Sequence, residues 1–137
     1  MSFKVLESVL RPLSYWYNQD NIEEVAVNRS GQIWLRLRGK RAYPWVMYKD
    51  EKLSKEYLVD LLYIVANTYE LPFDPVEGSP VVYATIPGEH RFSAIAGRNV
   101  MYDQDDLTGG VALTIRVHSD DVAFGLSDYG LTQGQAL

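Results

Sequence analysis

The stretch Ala84-Thr85-Ile86-Pro87-Gly88-Glu89-His90-Arg91-Phe92 decides the architecture. β-forming residues alternate on both sides of a Pro-Gly pair, which predicts a hairpin of two strands, Pro80 to Ile86 and Arg91 to Ala96, with Arg91 held close to the turn. A second arginine, Arg116, stands near the end of another alternating run, Val111-Ala112-Leu113-Thr114-Ile115-Arg116-Val117. If both runs join one sheet, two guanidinium forks converge, and a planar fork suits bidentate capture of a carboxylate or phosphate. The competing expectation is two surface arginines neutralised by Glu89 or Asp120.

Working outward, Leu6, Leu10, Leu13 and Tyr17 recur at helical spacing over Phe3 to Tyr17, with Val5 and Val9 widening the apolar face. Pro12 lacks a backbone donor, so a kink or a second helix start is expected there. Ile22, Val25 and Val27 open a strand that turns at Asn28-Arg29-Ser30-Gly31 and returns through Gln32 to Arg38. A third strand is predicted from Ala42 to Tyr48, at a sheet edge because of Pro44. Leu53 to Tyr69 carries two adjacent apolar stripes, the broad face of a helix lying on a sheet. The order is helix, three strands, helix, three strands. That is an α+β fold: a mainly antiparallel sheet of about six strands with the N-terminal helix and the long helix on one face.

A chain of 137 residues with 47% hydrophobic and 23% charged residues matches one globular domain. The absence of cysteine excludes a disulfide scaffold, thiol catalysis and sulfur-ligated zinc. A net charge of −5 argues against direct nucleic-acid binding, which draws affinity from basic side chains releasing counterions. The most apolar window, Tyr57 to Ala66, is interrupted by Asp60 and is far shorter than the roughly 20 residues of a transmembrane helix. No catalytic constellation is visible. His90 and His118 lack metal-ligand spacing, and Asp103, Asp105 and Asp106 lack the glycine and distal glutamate of a calcium loop. There is no Gly-x-x-x-x-Gly-Lys-Ser/Thr cradle either. A cluster of Arg36, Arg38, Lys40 and Arg41 reads as a solvated hairpin, although Trp34 and Trp45 beside Arg36 and Arg38 also suit a protein interface.

The segment from Asp20 to Trp34, with its Val27-Asn28 and glycine turn, resembles the N-terminal domain of type IV secretion traffic ATPases, the VirB-type hexameric motors. Ile86-Pro87-Gly88-Glu89-His90-Arg91 looks like that family's Leu-Pro-Gly-Gly-x-Arg, Thr114-Ile115-Arg116 like its Thr-Ile-Arg, and Leu126-Ser127-Asp128-Tyr129 like the segment before its linker. Ser30 stands where the family has proline and Glu89 where it has a second glycine. The stretch from Gly97 to Gly110 is longer and lacks the common Pro-Pro.

The resemblance implies an N-terminal domain over 1–126 and the start of a linker over 127–137. A further RecA-like domain would hydrolyse ATP and bind most of the nucleotide and its Mg²⁺. It also implies a homo-hexamer, cytoplasmic and peripheral at the inner membrane through other secretion components. Arg91 and Arg116 would reach the nucleotide phosphates, supported by the turn at Pro87 and Gly88. The alternative is a stand-alone interaction or ligand-sensing module with an apolar pocket between Leu53–Tyr69 and the sheet.

Overall fold

The computed structural model describes residues 3–39, 44–75, 78–97 and 110–119. The elements are α1 (Phe3–Tyr17), β1 (Ile22–Val27), β2 (Gln32–Leu37), β3 (Trp45–Lys49), α2 (Lys55–Thr68), β4 (Val81–Ile86), β5 (His90–Gly97) and β6 (Gly110–Arg116). This is the expected α+β order, with strand ends shifted by a residue or more. The third strand begins at Trp45, and Ala42 lies outside the described residues.

The strands form a single sheet in the order β3-β2-β1-β6-β5-β4, antiparallel throughout. Two three-stranded meanders are joined where β1 pairs with β6, so the last strand closes against the first. Alternation sorts the sheet into two faces. Val25, Val27, Leu35, Val82, Phe92, Ala94, Leu113 and Ile115 are buried on one and form a core with both helices. The other face presents Tyr83, Ser93, Thr114, Trp34 and Met47, all half-buried or exposed.

The helices follow from local sequence. In α1, Leu6, Leu10, Leu13 and Tyr17 are buried, whereas Val5 is 47% exposed and does not widen the apolar face as its spacing suggests. The helix continues through Pro12 without a second start. The carbonyl that Pro12 leaves unpaired belongs to exposed Ser8, where water can satisfy it. Ser54 caps α2, its hydroxyl accepting from the Tyr57 N–H at 3.1 Å. Leu53 and Leu58, both fully buried, occupy the two positions of a hydrophobic staple.

At the other end of α2 the Glu70 N–H donates to Asn67 O and the Leu71 N–H to Ala66 O, with Glu70 at φ 56. This Schellman ending stops the helix before the prolines do. The two helices are tied by the Tyr57 hydroxyl, which donates to Val9 O at 2.6 Å. The space between α2 and the sheet is filled by Leu58, Leu61, Leu62 and Val65, each fully buried. An apolar hollow of about 300 Å³ lies instead on the open face, lined by Ala26, Tyr83, Ser93, Ile95, Ala112 and Thr114 among others.

Candidate anion-binding cleft

The β4–β5 hairpin turns through Pro87, Gly88 and Glu89, with Ile86 paired to His90. The Glu89 N–H closes the turn on Ile86 O at 3.0 Å, and Gly88 has φ +94. Proline at the second position and a positive φ at the third are the requirements of a type II turn. Glu89 follows at φ 67, a left-handed conformation unusual for a residue with a side chain. Arg91 is the second residue of β5, one step after His90.

Arg91 and Arg116 are direct partners in the β5–β6 register. Directly paired residues on antiparallel strands have Cα atoms about 4.5–5.5 Å apart and point to the same face. The row continues across the sheet as Thr85, Arg91, Arg116, Glu24, Arg36 and Trp45. The β5–β6 register therefore brings the two arginines together. Both are exposed, and among the described residues neither forms an ion pair. Asp120, the other expected partner, lies outside the described residues.

A cleft of about 300 Å³ opens at this end of the sheet, lined by Arg38, Arg91, Arg116, Glu23, Glu89 and His118, among others. Arg38 arrives because β1 and β2 change register: Ile22 pairs with Leu37 and Glu24 with Arg36, leaving Glu23 as an extra residue. Such a bulge bends the strand and sharpens its twist. The Arg38 N–H donates to Asn21 O at 2.7 Å and the Val117 N–H to Glu23 O at 2.9 Å, so the bulge ties three strand ends together. Alternation alone set Arg38 beside Trp34 and Arg36, and no sequence signal announced the bulge.

The rest of the aromatic and basic patch stays at the β2–β3 edge of the sheet. The Arg36 side chain lies 3.6 Å from a Glu23 carboxylate oxygen and 6.0 Å from the centre of the Trp45 ring. Trp34 is half-buried and pairs across to Met47. Lys40 and Arg41 lie outside the described residues.

His90 supports the cleft from the core side. It is 7% exposed, and its Nδ1 accepts the His118 backbone N–H at 2.9 Å. A neutral ring with the proton on Nε2 fits that bond. The Tyr17 ring packs 4.8 Å from the imidazole. Burial, and then the neighbouring His118, hold the His90 pKa below its ordinary value. Burial, helped by Glu7, pushes the Tyr17 hydroxyl up to about 12. His90 lacks metal-ligand spacing, and its alternation with Phe92, Ala94 and Ala96 is the sequence signal that puts it on the core face.

No family profile matches the sequence, and no curated protein matches it. No helix among the described residues is long and apolar enough to cross a membrane. Among solved structures, the chain is similar to the VirB11 ATPase from the Brucella suis type IV secretion system, crystallised in complex with sulphate. The TM-score is 0.68 at 22% identity, and the match covers 96% of this chain and 43% of that one. The chain thus spans less than half the length of this neighbour, and what the two share is the fold of that part of the VirB11 ATPase.

Proposed function

We propose that this chain is the N-terminal, ring-forming and nucleotide-gating domain of a hexameric type IV secretion or conjugation ATPase. Arg91 and Arg116 contact the phosphates of ATP held mainly by a further domain of the same polypeptide. One observation carries the reading: two arginines are direct cross-strand partners lining one cleft, and among the described residues neither is held in an ion pair. Like charges directly opposite on neighbouring strands repel. A site that keeps such a pair gains stability when an anion arrives between them. The fold likeness to a secretion ATPase solved with sulphate supports the same direction.

ATP would supply the energy of its phosphoanhydride bond, while Mg²⁺ and hydrolysis belong to the further domain. This chain's residues would bind and orient the phosphates and couple their presence to rigid-body movement of the sheet and helices. Trp34, Arg36 and Trp45 would contact a neighbouring subunit or another secretion component.

The test begins with the gene. A Gly-x-x-x-x-Gly-Lys-Ser/Thr motif downstream of codon 137 is expected, and in that longer protein Arg116→Ala should raise the KM for ATP or lower turnover without unfolding the domain. Unchanged kinetics in a folded variant would remove Arg116 from the role, and a stop codon after Leu137 would favour a stand-alone binding module.

A further inference from the structure

We propose that Arg38 is a third phosphate ligand, and that the cleft takes a chain of condensed phosphates without reading the base or sugar attached to it. The inference rests on Arg91 and Arg116 being anion ligands and extends that reading to a residue on a different strand end. Arg38, Arg91 and Arg116 line the same cleft from the ends of β2, β5 and β6. Arg38 is exposed, and among the described residues it forms no ion pair.

The neighbouring cation is differently placed: Arg36 is engaged by Glu23 and lies against Trp45. That engagement partly neutralises Glu23, one of the two carboxylates lining the cleft with the three arginines. Three forks offer more donors than a single tetrahedral anion can accept, whereas two or three linked phosphates spread their oxygens along the cleft. Beyond its charged groups the cleft is lined by Val117 and His118. A nucleobase is ordinarily held by aromatic stacking or a mainly apolar slot, and among the described residues the cleft offers only the His118 ring and Val117 towards either. The overall charge of −5 repels anions at a distance, so capture depends on these forks rather than on the field of the whole molecule.

The experiment titrates the 137-residue chain, at low ionic strength, with tripolyphosphate, pyrophosphate, orthophosphate and ATP by calorimetry. Tripolyphosphate should bind more tightly than pyrophosphate and both more tightly than orthophosphate, with ATP within about threefold of tripolyphosphate. Arg38→Gln should weaken tripolyphosphate binding about tenfold, the size of one charge-assisted hydrogen-bonding group, and orthophosphate much less. Lys49→Gln removes the same charge from the far end of β3 and should leave both affinities in place.

If Arg91→Gln and Arg116→Gln weaken binding while Arg38→Gln does not, the third ligand is overturned and the underlying reading survives. ATP binding more than tenfold tighter than tripolyphosphate would overturn the indifference to the base. Absence of polyphosphate binding, or binding untouched by Arg91→Gln and Arg116→Gln, would bring down both the inference and the reading beneath it.

Discussion

His90 Nδ1 accepts a hydrogen bond from the backbone N–H of His118, 2.9 Å away, and so pins the chain just beyond Arg116 to the hairpin that carries Arg91. The bond needs an unprotonated Nδ1. A proton there would set two donors against each other in a nearly closed site against Tyr17.

Stability should therefore fall on acidification. The His90 pKa is lowered in the folded protein by burial and then by His118, so above the ordinary histidine value of about 6.5 the ring is neutral in both states. As pH falls below about 6.5 the unfolded chain takes up a proton that the folded chain refuses, and stability drops until the lower folded-state pKa is reached. The slope from this one group is at most about 1.4 kcal/mol per pH unit. Urea unfolding at several pH values between 8 and 5 measures it. His90→Asn, which keeps an acceptor near the Nδ1 position, should flatten the curve in that window; an unchanged slope would show that His90 is not the group responsible.

The pairing of Arg91 with Arg116 makes a second expectation, opposite in sign to the usual effect of removing a charged side chain. Arg91 has Thr85 on one flank and Arg116 on the other, so no register partner attracts it. Arg91→Gln should raise stability at low salt by roughly 0.2–1 kcal/mol, the usual range for a cross-strand pair, and the gain should shrink as salt screens the repulsion. Tripolyphosphate should raise the melting temperature of the natural chain more than that of the variant. A loss of stability on substitution would mean that Arg91 has a structural partner.

Much of this was legible in the sequence because it rests on period and punctuation. Alternation identified β4, β5 and β6, and Pro87-Gly88 fixed the turn, so Arg91 was known to lie beside it. That Arg116 would be its direct partner needed the register between β5 and β6, which cannot be read from either segment alone. That Arg38 would line the same cleft was not legible, because a bulge at Glu23 is a property of two paired strands, not of one. Val5 was misassigned because a helix on a sheet buries only the part of its apolar stripe that faces the sheet or α2.

Gly88 and Glu89, adjacent in the same turn, should respond to substitution with opposite signs. Gly88 sits at φ +94, and a β-carbon there would lie 2.6 Å from His90 Nε2. The imidazole is not free to move aside, since its other nitrogen holds the His118 N–H and its face meets Tyr17. Gly88→Ala should therefore cost about 2 kcal/mol or more, combining a left-handed backbone with an overpacked contact. It should also weaken anion binding, because moving His90 releases the end of β6 beside Arg116.

Glu89 has a side chain at φ 67, where an ordinary residue carries a strain of roughly 1–2 kcal/mol. Glycine removes that strain, while its freer unfolded chain takes back about 0.5–1 kcal/mol. Glu89→Gly should thus stabilise the hairpin by about 0.5–1 kcal/mol and, by removing a carboxylate from the cleft, tighten tripolyphosphate binding. Denaturant midpoints of the two variants against the natural chain decide the matter. Destabilisation by Glu89→Gly would mean that the Glu89 carboxylate supports the turn, and tolerance of Gly88→Ala would mean that the hairpin can move away from His90.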